Sequence, residues 1–143
     1  AESVAARLRK HGFKCKTVEI TVRDNGLYSF SRQMHLRQPT NITDEIVSAA
    51  FQLFKDNYKW EHPIRSLGIR AADLVLDDIP VQLDLFGNQE KKEKLEKLDR
   101  TVDEIRRRFG YFSIQRAAMY QNKVLSHLDV GTHTVHPHSY FHG

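Results

Sequence analysis

A pair of alternating segments joined by a short turn signal constrains the fold of this chain more than any other feature. Residues 16–23 alternate apolar and polar side chains, with Val18, Ile20 and Val22 on one side, as in a half-buried strand. Asp24-Asn25-Gly26 follows, and Asn-Gly readily adopts the positive φ of a hairpin turn. Residues 28–37 resume the alternation, so the sequence predicts an antiparallel hairpin with one apolar and one polar, basic-leaning face. The apolar side of the return strand consists of Tyr28, Phe30, Met34 and Leu36.

Two amphipathic helices and a further strand complete the first half of the chain. Residues 1–11 form the first helix, which ends at Gly12. The second helix begins with Thr43 as its expected N-cap and ends before His62-Pro63. A third strand at residues 64–71 turns Leu67 and Ile69 toward the core. The helices contribute the apolar positions Val4, Ala5, Leu8, Ile46, Ala50, Leu53, Phe54 and Tyr58.

These elements predict an α+β fold for residues 1–76, in which two helices cover one face of an antiparallel sheet and leave the other open. The open face offers hydroxyls, amides and guanidinium groups with almost no aromatic rings, which suits phosphate oxygens better than base stacking. This face is either plainly solvated or contacts the backbone of a duplex. The candidate contact residues are Thr17, Thr21, Arg23, Ser29, Ser31, Gln33, His35, Arg37, Ser66 and Arg70.

The distribution of charge points to an anionic partner for the first third of the chain. Residues 1–38 carry eight basic and three acidic side chains, whereas residues 39–87 carry four basic and eight acidic ones. Such polarity indicates nucleic acid first and acidic lipid second.

An apolar and acidic pentapeptide lies at residues 82–86, after an acidic segment that contains Pro80. We interpret residues 77–87 as an extended linker. The large apolar side chains of the pentapeptide either fold back into the domain's own core or form a linear motif for a partner's pocket. Its position after a complete sandwich and before a separate helix favours the motif. Its residues are Gln82, Leu83, Asp84, Leu85 and Phe86.

A long charged helix is predicted at residues 89–109, capped by Gly87-Asn88 and ended by Gly110. Five acid-to-base pairs at i,i+4 support it. Two heptads are short for a coiled coil, so we expect docking on the domain or on a neighbour rather than a zipper. The narrow apolar seam consists of Leu95, Leu98, Val102, Ile105 and Phe109.

The C-terminal residues carry a weaker pattern. Residues 111–120 are compatible with a short strand or a short helix, and residues 121–143 show no clear periodicity. Three histidines in that tail, His133, His136 and His138, are either transition-metal ligands or part of a polar tail. The absence of cysteines or close carboxylates favours the polar tail.

Several classes of protein are excluded by what the sequence lacks. A single cysteine, Cys15, rules out an internal disulfide framework and suits a reducing cytoplasm. No apolar run approaches the ~18 residues of a membrane span, so no membrane partner is expected. We find no phosphate-binding glycine loop, serine elbow or zinc-protease motif, and therefore assign no catalytic residue, metal ligand or cofactor within the chain.

The order of these parts resembles the little finger domain of the Y-family lesion-bypass DNA polymerases. The resemblance covers residues 1–76 and is carried by Val4-Ala5-Ala6-Arg7-Leu8-Arg9, the polar-faced hairpin, Pro39-Thr40-Asn41 and Ile64-Arg65-Ser66-Leu67-Gly68-Ile69 followed by Leu74. The pentapeptide is similar to Gln-Leu-x-Leu-Phe, the motif through which bacterial polymerases engage the β sliding clamp. The segment from Asn88 onward looks more like the UmuC-type branch than the simplest polymerase IV.

The resemblance implies a DNA-binding role and a tether. The open sheet face would grip the primer–template backbone, Gln82 would enter a polar site on the clamp, and Leu85 and Phe86 would fill its apolar pocket. The metal-binding carboxylates, with Mg²⁺, belong to a palm that is not in these 143 residues. The parent protein would be an error-prone translesion polymerase of the SOS response, located in the cytoplasm with the nucleoid.

The resemblance also implies a division of the chain and leaves alternatives open. Residues 1–76 would be the DNA-binding domain, residues 77–87 the linker with the clamp motif, and residues 88–143 a helix and tail. The family has one more strand before its first helix, so either that strand is missing here or residues 112–119 take its place. Two rival functions are a protein-interaction module without DNA binding and a metal-binding regulatory tail.

Overall fold

The computed structural model describes residues 1–78 and 89–121. In chain order the elements are α1 (Glu2–Lys10), β1 (Phe13–Asp24), β2 (Ser29–Thr40), α2 (Thr43–Asn57), β3 (Ile64–Leu76) and α3 (Gln89–Phe109), then two 3₁₀ turns at Tyr111–Ser113 and Ala117–Gln121. The sheet has the order β2-β1-β3, with both pairings antiparallel. The predicted α+β fold is confirmed. The pentapeptide, its neighbours Gly87-Asn88 and the three tail histidines lie outside the described residues.

The chain divides into two compact units, Ala1–Asp99 and Arg100–Gly143. Asp77, which the sequence analysis assigns to the linker, belongs to the first unit and contacts residues at the start of β1. Its amide donates to the Gly12 carbonyl at 2.9 Å, and its carboxylate pairs with Lys14 Nζ at 2.7 Å. The chain therefore stays attached to the residues around the start of β1 as far as Asp77.

The core lies between the sheet and the two helices, as the periodicities predict. Val18, Ile20 and Val22 of β1 are almost completely buried, against buried residues of both helices. Burial of this kind contributes roughly 2 kcal/mol per large aliphatic side chain. The helical members of the core are Ala5, Leu8, Ile46, Ala49, Ala50 and Leu53.

Two side chains predicted to face the core are largely exposed. Tyr28 is 70% exposed because β2 begins one residue later, at Ser29, which leaves Tyr28 in the turn. Leu67 pairs with Val22 on the core-facing side but is 54% exposed. The core cluster takes in Ile69 and Ala71 of β3 but does not reach Leu67.

The hairpin turn differs in detail from the prediction. The positive φ falls on Leu27, at 70°, rather than on the Asn-Gly pair. The Leu27 amide donates to the Asp24 carbonyl, and the Tyr28 amide donates to Asp24 Oδ1 at 3.0 Å, so Asp24 organises a four-residue turn. A Cβ on Gly26 would lie 3.3 Å from that carboxylate oxygen, so a larger residue there would displace the Asp24 side chain by a few tenths of an ångström.

Helix α2 is capped by a residue from outside its own sequence neighbourhood. The N-cap position is Ile42, not Thr43, and no side chain of the helix's own start caps it. Instead, Asp99 of α3 accepts the Thr43 amide proton at 2.7 Å and pairs with Arg9 of α1 at 3.0 Å. The expectation that α3 docks on the domain is confirmed for its first half, where Lys92 also donates to Gln38 of β2 at 2.7 Å.

The second half of α3 continues as a regular helix to Phe109, and two short 3₁₀ turns follow it at Tyr111–Ser113 and Ala117–Gln121. Of the predicted i,i+4 pairs, Glu90 with Lys94 and Glu104 with Arg108 are closed, at 2.6 and 2.5 Å. Residues 112–119 form parts of two 3₁₀ turns and no strand, so they do not supply the additional strand of the family. Among the described residues the sheet has three strands.

Candidate nucleic-acid interface

The face of the sheet opposite the helices is organised by the strand register into rows of three residues. Each row runs from β2 through β1 to β3. Two rows lie near the hairpin turn, and we call them the turn-side half. Two rows lie further along the strands, and we call them the far half. The turn-side half contains Ser29, Arg23 and Ser66, then Ser31, Thr21 and Gly68; the far half contains Gln33, Glu19 and Arg70, then His35, Thr17 and Ala72.

The turn-side half is exposed and carries no acidic group in its rows. All six of its residues are solvent-exposed. The hydroxyls of Thr21 and Ser31 lie 2.9 Å apart and share one hydrogen bond. Arg23 forms no ion pair or side-chain hydrogen bond with any residue that the structure describes, so its guanidinium is available to a ligand.

Gly68 gives the turn-side half a low profile along β3, at one edge of the sheet. It pairs with Thr21 and presents no side chain toward solvent. A Cβ built there would make ordinary contact with Thr21, at 3.7 Å, so packing does not forbid a larger residue. The consequence of glycine is a shallow surface beside exposed hydroxyls, over which a phosphate backbone can approach closely.

The far half is less suited to bind an anion. Glu19, on the middle strand, lies 3.6 Å from Arg70, so that cation is already paired. Period-two alternation places Glu19 on this face, but the predicted site omits it. The sequence signal for it is therefore present, in its alternation with Thr17 and Thr21.

Thr17 is one predicted contact residue that the structure places out of reach. It is only 3% exposed, and its hydroxyl donates to Asp73 Oδ2 at 2.5 Å. A hydroxyl has one proton, so the ring nitrogen Nδ1 of His35, 2.9 Å away, must donate to the Thr17 oxygen. Asp73, at φ 50°, is a second acidic residue of this end that the sequence analysis missed, because predicted β3 stopped at Ala71.

Arg37 stands apart from the rows. It is exposed, and it follows the irregularity in pairing between Cys15 and Thr17. It lines a groove with Asp44 and Glu45 of α2 and with Lys91 of α3. The rows therefore bring together Arg23, Arg70 and the neutral polar residues of the predicted site, but not Arg37.

The described part of the chain gives no support for a reactive cysteine, a metal site or a membrane-spanning helix. Cys15 is buried, its thiol contacts the Thr40 carbonyl, and burial raises its pKa to about 11. No group of three or more potential metal ligands occurs within residues 1–78 and 89–121. No helix in these ranges combines the length and apolar character needed to cross a membrane.

Comparison with known proteins gives a consistent set of matches. The model of the impB/mucB/samB family C-terminal domain matches residues 1–85. DNA polymerase IV of Acetivibrio thermocellus is 41% identical over 128 residues, which are 90% of this chain and 32% of that protein. DNA polymerase IV of Pelotomaculum thermopropionicum is 35% identical over 81% of the chain, and DNA polymerase IV 2 of Bacillus subtilis 36% over 82%. Each of these last two matches spans 28% of the relative.

The match to DNA polymerase IV of Acetivibrio thermocellus extends beyond the sheet domain into α3. An alignment that covers 90% of the chain necessarily includes α3, and the protein so aligned is named DNA polymerase IV. The resemblance of this segment to the UmuC-type branch stays a prediction. The chain spans about a third of the length of the curated relatives it matches.

Proposed function

This chain belongs to the C-terminal domain family of the Y-family DNA polymerases, and on that premise we propose that it grips the backbone of duplex DNA and tethers its polymerase to the β sliding clamp. The observation that carries the DNA-binding part is the turn-side half of the sheet face. It combines exposed hydroxyls and Gly68 with Arg23, which pairs with no side chain that the structure describes, and no helix of the first unit covers it.

The chemistry of this surface favours contact with phosphates rather than with bases. Phosphate contacts position a protein on a duplex without reading sequence, and they need cations, hydroxyls and backbone amides. The rows of the turn-side half contain no aromatic ring on which a base could stack. The binding we propose is accordingly indifferent to sequence, and its affinity falls as the salt concentration rises.

The tether is supported by sequence and by the anchoring of the chain before it. Gln82, Leu83, Asp84, Leu85 and Phe86 match Gln-Leu-x-Leu-Phe at each specified position. They follow Asp77, which is bound to the domain, at a short distance along the chain. In this proposal Gln82 enters a polar site on the clamp, and Leu85 and Phe86 enter an apolar pocket.

The proposal assigns the chemical step to the rest of the parent protein. The parent would be an error-prone translesion polymerase that acts in DNA damage tolerance and the SOS response, in the cytoplasm and near the nucleoid. Its palm, outside these 143 residues, would hold Mg²⁺ on carboxylates. The chain itself supplies affinity for primer–template and for the clamp.

Titration of the 143-residue chain with a fluorescent primer–template across a salt series tests DNA binding. We expect the logarithm of the association constant to fall linearly with the logarithm of salt concentration, and Arg23→Gln to reduce that slope by about 1. Arg32→Gln is the matched control, because Arg32 belongs to the same hairpin but pairs with Ile20, on the other face. No binding, or binding that salt does not affect, would favour the rival interaction module.

Surface plasmon resonance on immobilised β clamp tests the tether. Leu85→Ala combined with Phe86→Ala should abolish binding, since apolar anchors of this kind contribute about 2 kcal/mol or more each. Asp84→Ala is the control within the same pentapeptide, because its position is unspecified in the motif, and it should retain binding. Undiminished binding by the double variant would remove the linear motif from the proposal.

A further inference from the structure

The two halves of the sheet face carry different charge, and the difference follows from single residues in the register. Successive rows on one face of a strand lie about 7 Å apart, since the rise is about 3.4 Å per residue. Glu19 is thus one row from Thr21 and two rows from Arg23. A phosphate held at the row of Arg23 lies about 14 Å from Glu19, beyond the Debye length of about 8 Å at physiological salt.

The Glu19 carboxylate forms an ion pair with the guanidinium of Arg70. The two side chains are 3.6 Å apart, and their exposures differ, at 19% for Glu19 and 70% for Arg70. The carboxylate is thus shielded within the face, while the guanidinium projects from it. A phosphate that approached Arg70 would meet the Glu19 carboxylate within a few ångströms and with little water between the two charges.

We propose that Glu19 confines phosphate binding to the turn-side half by holding Arg70 and by repelling any phosphate from the far half. This inference rests on the proposed function, because it concerns where DNA crosses the same face. Asp73 extends the same effect by one row, since its carboxylate accepts the Thr17 hydroxyl proton and lies 4.0 Å from His35. DNA then contacts Arg23, Ser29, Ser66, Thr21 and Ser31, and Arg70 does not count among the phosphate contacts.

A double-mutant cycle in the salt-series titration tests this assignment. Glu19→Gln keeps the size of the side chain and frees Arg70, so DNA affinity should rise roughly three- to tenfold at about 50 mM salt, and the salt slope should increase by about 0.9. Arg70→Gln alone should leave the slope unchanged. Arg70→Gln in the Glu19→Gln background should cancel the gain.

A charge-matched control separates release of Arg70 from a general change in net charge. Glu61→Gln removes the same charge from the connection between α2 and β3, and it should leave the slope unchanged. If Glu19→Gln behaves like Glu61→Gln, the inference is overturned while DNA binding stands. It is overturned equally if Arg70→Gln alone lowers the slope by about 0.9, because Arg70 would then already bind a phosphate.

Failure of the proposed function gives a different result. In that case the unsubstituted chain shows no salt-dependent affinity for primer–template, and no comparison of variants is needed. Urea unfolding of each variant verifies that it is folded, and the Arg70→Gln single variant, which alters an exposed side chain, decides the assignment even if Glu19→Gln does not fold.

Discussion

Replacement of Asp99 by alanine should destabilise the first unit far more than an ordinary substitution on the surface of α3. The carboxylate of Asp99 makes two contacts that cross between elements. It accepts the Thr43 amide proton at 2.7 Å, at the start of α2, and it pairs with Arg9 at 3.0 Å. The side chains of Arg9 and Asp99 are only 9% and 12% exposed.

The magnitude follows from what the substitution leaves behind. A buried amide without a partner costs about 1–3 kcal/mol. Removal of one partner from a buried ion pair costs about 3–5 kcal/mol. Arg9 keeps part of its bonding, because Nη1 also donates to the Asn41 carbonyl at 2.7 Å and to the Thr43 hydroxyl at 3.3 Å. We therefore expect a loss of about 3 kcal/mol, a large part of the 5–15 kcal/mol typical of a domain.

Urea denaturation monitored by circular dichroism measures this loss. With a slope of about 2 kcal/mol per molar urea, the midpoint should fall by about 1.5 M and the slope should stay the same. Asp99→Asn should lose less, about 1–2 kcal/mol, because its amide oxygen still accepts the Thr43 proton while the charge is gone. Glu93→Ala, at an exposed position of the same helix, should change stability by less than about 0.5 kcal/mol.

The reasoning would be refuted if Asp99→Ala and Glu93→Ala gave equal midpoints. That result would mean that the two contacts of Asp99 add nothing to the stability of the first unit. A cycle with Arg9→Met isolates the pair itself. The double variant Arg9→Met, Asp99→Ala should be less destabilised than the sum of the single variants, because it leaves no unpaired guanidinium.

Two further predictions concern single side chains. Burial raises the pKa of the Cys15 thiol from 9.0 to about 11, so the thiol should react slowly with DTNB at pH 8 until urea is added. The pKa of the Cys15 thiol is higher in the folded than in the unfolded state, so its contribution to stability is complete below about pH 9 and declines as the pH rises toward 11. Rapid labelling by DTNB in native buffer would contradict the slow reaction and this pH dependence. Thr17→Val should cost about 1–2 kcal/mol of stability in urea titration without altering the affinity for primer–template, because the Thr17 hydroxyl is buried against Asp73. A lower affinity of the folded variant would show that Thr17 reaches phosphate.

The elements of the first unit were predictable because each one is encoded by local periodicity. Val18, Ile20 and Val22 can share a face only in a strand, and the pattern of Ile46, Ala50 and Leu53 suits a helix. The ends were less predictable. Strand β3 runs on to Leu76 because Leu74, Val75 and Leu76 pair with the start of β1, a partnership between distant segments.

The candidate site was predictable in composition but not in detail. Alternation along β1 and β2 places hydroxyls and guanidiniums on one face, and it places Glu19 there equally. Alternation does not state which side chains cover one another. The burial of Thr17 depends on Asp73, whose position is set by the backbone of β3.

By itself, the sequence determined the order of helices and strands, the apolar and polar faces of the sheet, and membership of the polymerase family, because all three are written in residues close together along the chain. Only the tertiary structure decided that Asp99 caps α2, that Glu19 holds Arg70 and that Thr17 is out of reach. The physical reason is common to these three contacts. Each is a short-range interaction between side chains or amides of different elements, and it exists only once strand register and helix docking have brought them within about 4 Å.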